Sequence, residues 1–229
     1  VESYLIQVFG EKFGFDPAHI DGVFAGGGAE ANQTAVLSAL NHLLPDYASN
    51  GLFGLSRRPL IYCSSESHHS IHKAAMMSGL GHEAVRSIPV NARLEMDIRL
   101  FEEQLEKDIA AGHLPVMAVA TASTTGVGAI DDLVAIGKIA SKFGLWFHVD
   151  AAYGVAVALH PDLKPYLLRI AEADSITFDA HKWLSVTMGT SLFICSHPNI
   201  LAKTFRITAE YMPKEAKEMY IVDPFTHSI

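Results

Sequence analysis

Short apolar runs alternate along the chain with longer segments in which apolar residues recur every three or four positions. Leu60 to Ser64, Val85 to Pro89, Val116 to Ala120, Trp146 to Val149, Asp174 to Phe178 and Ser191 to Cys195 read as strands, being short and rich in β-branched and aromatic residues. Between and after them, residues 29–44, 68–80, 98–111, 131–143 and 197–205 carry helical periodicity. Asp131 and Asp132 mark a helix start ahead of Leu133, Val134, Ile136 and Ile139, and Pro45 closes the first long helix. Residues 49–59, with Gly51, Gly54 and Pro59, have loop chemistry. This alternation predicts one α/β domain built on a mostly parallel sheet flanked by helices. There is no internal repeat or low-complexity tract, and residues 222–229 carry no obvious stopping signal for a complete second domain.

Composition narrows the classes of partner. With 229 residues, 49% hydrophobic and 18% charged, the chain can bury a substantial core. Seventeen Lys and Arg against 25 Asp and Glu give a net charge of -8, which argues against a nucleic-acid or anionic-membrane surface. A small anionic cofactor would bind through local groups instead. No apolar run approaches the roughly 18 residues that span a bilayer, and the start at Val1 lacks a basic region followed by an apolar one, so neither anchor nor signal peptide is expected. The missing initiator Met fits a fragment or a processed product. Cys63 and Cys195 both fall in apolar strands and read as reduced, buried thiols in a cytoplasm-like compartment.

Candidate chemistry clusters where strands end. Gly26-Gly27-Gly28-Ala29-Glu30-Ala31-Asn32 follows the apolar Val23-Phe24-Ala25 and leads into a helix, so backbone N–H groups there can meet a phosphate; a plain strand-to-helix turn explains it equally well. It is neither a dinucleotide fingerprint nor a Walker loop. His68, just after the strand ending at Ser64, is placed to lie over a flat aromatic cofactor, with a surface helix start as the plainer alternative. His68 and His72 also have the spacing of two metal ligands on one helical face, but no HExxH motif or cysteine cluster accompanies them, and no metal is expected. Thr121-Ala122-Ser123-Thr124-Thr125 offers hydroxyls to a cofactor or substrate, or serves as turn and cap.

The sharper signals come later in the chain. Asp150 ends an apolar strand, where an unpaired carboxylate is costly to bury; a protonated pyridine nitrogen would be its partner, and a structural cap is the alternative. Thirty-two residues on, Asp179-Ala180-His181-Lys182-Trp183 places a lysine after another apolar strand, where partial desolvation favours imine formation. A Schiff-base lysine and a carboxylate for a pyridine nitrogen are the two protein groups that pyridoxal phosphate chemistry needs most.

These segments resemble the large domain of the group II pyridoxal-phosphate-dependent amino-acid decarboxylases, the family of aromatic-amino-acid, glutamate and histidine decarboxylases. The resemblance covers nearly the whole chain and is most specific over His148 to Gly154 and His181 to Leu184. It implies a three-layer, fold-type-I pyridoxal-phosphate domain over residues 1–229, with the family's N-terminal segment and C-terminal small domain absent. It implies that Lys182 forms the Schiff base, Asp150 pairs with the ring nitrogen, His68 stacks on the ring and Ala152 packs beneath it. Gly27 and Gly28 would face the phosphate with help from His181, and Thr125 would lie near the cofactor. Many relatives carry Asn-Pro where this chain has Asp179-Ala180, and a hydroxyl residue where the Gly26 to Ala29 turn offers only backbone donors. The implied reaction is decarboxylation of an L-amino acid, aromatic before acidic, by a cytoplasmic homodimer. Transamination, carbon–carbon lyase chemistry and a non-catalytic truncated domain are the competing expectations.

Overall fold

In the computed structural model, residues 1–206 are described. The expectations about residues 222–229, and the last part of the 1–229 domain assignment, lie outside the described residues. Seven strands form one sheet: β1 (Asp21–Ala25), β2 (Pro59–Ser64), β3 (Val85–Ile88), β4 (Leu114–Thr121), β5 (Trp146–Asp150), β6 (Ser175–Asp179) and β7 (Ser191–Cys195), in the spatial order β1-β7-β6-β5-β4-β2-β3. The helices are α1 (Glu2–Phe13), α2 (Gly28–Leu43), α3 (Tyr47–Asn50), α4 (Ser70–Met77), α5 (Ile98–Ala110), α6 (Leu133–Phe143), α7 (Ala180–Trp183) and α8 (Ile200–Phe205).

Strands β2 to β6 pair in parallel, joined through helices, whereas β7 runs antiparallel to both β6 and β1. The reason lies in chain length. Only residues 180–190 separate β6 from β7, and their single helical turn, α7, is too short for the crossover that a parallel neighbour needs. Every residue of β2, β5, β6 and β7 is buried, as expected of strands covered on both faces, so their sequences read as continuous apolar runs. On one side α2 lies against β6 and β7 and touches α4 and α8; α5 and α6 pack on each other and against β4. Leu133, Ile136 and Ile139 form the buried stripe of α6, each worth about 1.5–3 kcal/mol on full burial.

Several expectations shift. Helix α1 and strand β1 were not among the predicted elements. The 49–59 loop contains the end of α3 and a 3-10 turn over Gly51–Gly54. Asp132 alone caps α6, accepting from Ala135 N at 3.0 Å. Asp131 does not start the helix: it is buried and accepts from the backbone N–H groups of Met96 (2.6 Å) and Thr121 (2.8 Å), tying the 91–97 loop to the end of β4. Cys63 and Cys195 are free and buried, and β4, β5 and β6 lie between their strands. Among the described residues no helix is long and apolar enough to cross a membrane.

One consequence of the topology matters for function. Because β7 is antiparallel to its neighbours, β1 points the same way as β6, so the ends of β1, β2, β4, β5 and β6 open onto one edge of the sheet. Ligands of open α/β sheets bind at that edge.

Candidate active site

A cleft at this edge is lined by Gly28, Ala29 and Asn32 of α2, His68 ahead of α4, and Thr121, Ser123 and Thr125 at and after β4. Asp150, Ala152, Tyr153, Asp179 and Lys182 complete it. Of the residues singled out in the sequence, the structure brings Lys182, Asp150, His68, Ala152, Thr125 and Gly28 together here. Gly27 stands one residue outside the lining, as the N-cap of α2. His181 also lies outside it, with Nδ1 3.1 Å from the Thr190 carbonyl oxygen and Nε2 3.7 Å from Asp179.

Asp150 is the last residue of β5 and is buried. Its Oδ2 accepts from Asn32 Nδ2 at 2.8 Å and its Oδ1 from Ala152 N at 3.2 Å. These donors are neutral, and burial pushes the carboxyl above its ordinary range, an effect that Asn32, Ala152, His68 and Lys182 only partly offset. Such a carboxylate fits a cationic ring nitrogen.

Lys182 sits in the one-turn α7, directly after β6. Its Nζ is 2.9 Å from Asp179 Oδ2; the lysine is about one-third exposed and the aspartate 3% exposed. The other carboxylate oxygen of Asp179 is buried and has no hydrogen-bond partner among the described residues, an unmet acceptor at the edge of the cleft. A methyl group on Gly28 would lie 2.9 Å from both Asp179 oxygens, so the glycine lets α2 approach the Lys182 turn. The first-turn N–H groups of Gly28 and Ala29 have no acceptor within the helix and lie at the cleft, the chemistry of a phosphate site.

His68 precedes α4 rather than belonging to it, so it does not share a helical face with His72, whose Nε2 is instead 3.4 Å from Ser87 Oγ. Among the described residues no group of three metal-ligating side chains is assembled. The His68 ring stacks at a tilt on His69, centroids 4.0 Å apart, and burial lowers its pKa, so it is neutral near neutral pH. Thr124 is buried, accepting from Ala129 N at 3.1 Å, which leaves Thr125 as the threonine at the cleft. Ser123 adopts φ 78, and Gly154 packs directly against it: an added Cβ would sit 2.5 Å from the Ala122 carbonyl oxygen.

In the sequence Asn32, the last residue of the Gly26 to Asn32 segment, carries no side-chain role, and nothing there points to Asp179 as part of this site. Asn32 looks like one polar residue on an amphipathic helix, and its partner Asp150 is 118 positions away. Asp179 registered only as a departure from a family pattern.

The arrangement matches a known set of proteins. Residues 5–228 match the pyridoxal-dependent decarboxylase conserved domain. The chain belongs to this family. It is 32% identical over 223 residues to the L-aspartate decarboxylase dtxS4 of Metarhizium robertsii, covering 97% of the chain and 44% of that protein. With the aromatic-L-amino-acid decarboxylase of Bos taurus it shares 30% identity over 210 residues, 90% of the chain and 42% of the relative. The crystal structure of mouse CSAD superposes with a TM-score of 0.86 at 33% identity, over 89% of this chain and 43% of that one. The chain thus spans less than half the length of these relatives, and the family's cofactor is pyridoxal phosphate. The buried Asp150, with no ion-pair partner among the described residues, the Lys182 amine and the first-turn N–H groups of α2 fit that cofactor.

Proposed function

We propose that the protein decarboxylates an L-amino acid to an amine and carbon dioxide with pyridoxal phosphate, taking aromatic side chains in preference to acidic ones. The observation that carries this reading is the convergence of the Lys182 amine, the buried Asp150 carboxylate and the His68 ring on one cleft. When bound, pyridoxal phosphate supplies an aldehyde for the lysine amine and a ring that draws electrons from the bond to the departing carboxylate.

Each side chain then has a task. Asp150 holds the proton of the ring nitrogen in an ion pair, relieving the cost of its own burial. With the cofactor bound, His68 would cover one ring face and Ala152 would pack against the other. Gly28 and Ala29 hold the phosphate through backbone N–H groups, Gly27 sets the entry to the turn, Thr125 contributes a hydroxyl, and His181 braces the loop behind Lys182. The chain acts as the cofactor-binding large domain of a homodimer.

The substrate preference rests on the lining. Lys182 is the only lysine or arginine among the cleft residues described, and Lys182 is committed to the cofactor, so an acidic side chain finds no free cation. Tyr153 lines the cleft edge, with Trp183 edge-on to it at 5.7 Å, and offers an aromatic wall. The test is product analysis of the full-length protein with a panel of L-amino acids. Amine and carbon dioxide from aromatic substrates support the reading; a keto acid without carbon dioxide overturns it.

A further inference from the structure

A line of buried side chains runs from the core beneath the sheet edge to His68. Trp146 Nε1 is 2.8 Å from Ser175 Oγ, which is 2.8 Å from His148 Nδ1. His148 Nε2 is 3.0 Å from Asn32 Oδ1, which also receives Thr177 Oγ1 at 2.7 Å. Asn32 Nδ2 lies 2.8 Å from Asp150 Oδ2 and 2.8 Å from Ser70 Oγ, and Ser70 Oγ is 2.8 Å from His68 Nδ1. Asn32, His148, Ser175, Thr177 and Ser70 are buried, so their polar groups must find partners inside the protein.

Donors stand at both ends of the line. An indole N–H can only donate, so Ser175 accepts from Trp146, which leaves its own proton available to His148 Nδ1. His148, held neutral by burial with its pKa near 3, then carries its proton on Nε2 and gives it to Asn32 Oδ1. That fixes the Asn32 amide, whose NH2 faces Asp150 and Ser70. Ser70 accepts from Asn32 and donates to His68 Nδ1. At this far end the Ser70 backbone N–H also points at His68 Nδ1, 3.3 Å away. The reversed line would set an Nδ1–H of His68 against that N–H.

We propose that Asn32 is a positioning residue that aligns the Asp150 carboxylate and, through Ser70, fixes His68 as the tautomer with its proton on Nε2. His68 thereby presents one defined N–H, while Asp150 presents a carboxylate already oriented by a donor from α2. One residue on α2 thus couples Asp150 to His68. The use of these two groups rests on the cofactor reading above; the tautomer itself does not.

The test is 15N NMR of the histidine-labelled full-length protein near neutral pH, with and without pyridoxal phosphate, assigning His68 by loss of its signals in His68→Gln. The wild type should show an unprotonated Nδ1 and a protonated Nε2 at His68. Ser70→Ala, which removes the hydroxyl donor but keeps the backbone N–H and leaves Asn32 on Asp150, should shift the His68 Nδ1 signal as that nitrogen loses its shorter hydrogen bond. Asn32→Asp, nearly isosteric but with no NH2, should also shift it and weaken cofactor binding at least tenfold. A wild-type His68 protonated on Nδ1 overturns the proposal, as do folded Ser70→Ala and Asn32→Asp variants with unchanged nitrogen signals. Should neither variant fold, the wild-type nitrogen signals decide alone. Failure of the protein to bind pyridoxal phosphate would sink the cofactor reading without moving the His68 nitrogens, so the two failures are distinguishable.

Discussion

Lys182 Nζ and Asp179 Oδ2 form an ion pair at 2.9 Å across one turn, with the carboxylate buried and its second oxygen unpartnered among the described residues. Removing the lysine alone leaves a buried charge without its closest cation. Lys182→Ala should therefore destabilise the protein by about 1–3 kcal/mol, discounted for the lysine's partial exposure. Adding Asp179→Asn should restore most of that loss. Denaturant titrations of the two single variants and the double variant check it; equal stability of Lys182→Ala and the double variant would contradict the pairing.

The same carboxylate makes two adjacent glycines unequal. A Cβ on Gly28 would press on Asp179 at 2.9 Å, whereas one on Gly27, at φ -179, meets nothing within 4 Å. Gly28→Ala should cost about 1–3 kcal/mol and weaken cofactor uptake, while Gly27→Ala should change stability by less than about 0.5 kcal/mol. Thermal melts and cofactor titrations of both variants distinguish them.

The fold was legible in the sequence where burial on both faces produced continuous apolar runs, as in β2, β5 and β7. It was less legible at β1, whose Asp21 and Gly22 interrupt the pattern, and at Asp131, whose acidic side chain mimics a helix cap while serving the backbone of a distant loop. Lys182, Asp150 and His68 were readable because each stands at or just after the end of a strand that opens onto the same edge. Asn32 was not, since its four polar contacts, to Ser70, His148, Asp150 and Thr177, exist only once α2 has been laid across the sheet.

His148 and Asp150 should respond to acid in opposite directions. His148 is depressed from 6.5 to about 3 by burial, so between those values the unfolded chain binds a proton that the folded chain refuses, and stability falls as pH falls. Asp150 is raised by burial, so above the ordinary carboxylate value the folded state takes up its proton first, and acidification favours folding. His148→Gln should flatten the acid loss of stability in the cofactor-free protein, and Asp150→Asn should steepen it, each pKa step being about 1.4 kcal/mol. Urea titrations from pH 7 to pH 4 read both slopes.

Asp150 should matter far more for turnover than for folding. Asp150→Ala is expected to reduce the rate about 100-fold or more, the scale of losing one electrostatic partner in a water-poor site, while the folded structure persists. Steady-state kinetics beside circular dichroism checks this. Parallel loss of rate and fold would assign Asp150 to a structural cap instead.

The most direct test of the whole account is chemical. The protein is incubated with pyridoxal phosphate, reduced with borohydride and digested, and the peptides are weighed. The cofactor's mass should appear on the peptide containing Lys182 and vanish in Lys182→Ala. Stable label on a different lysine in the wild type, or undiminished label in Lys182→Ala, would contradict it.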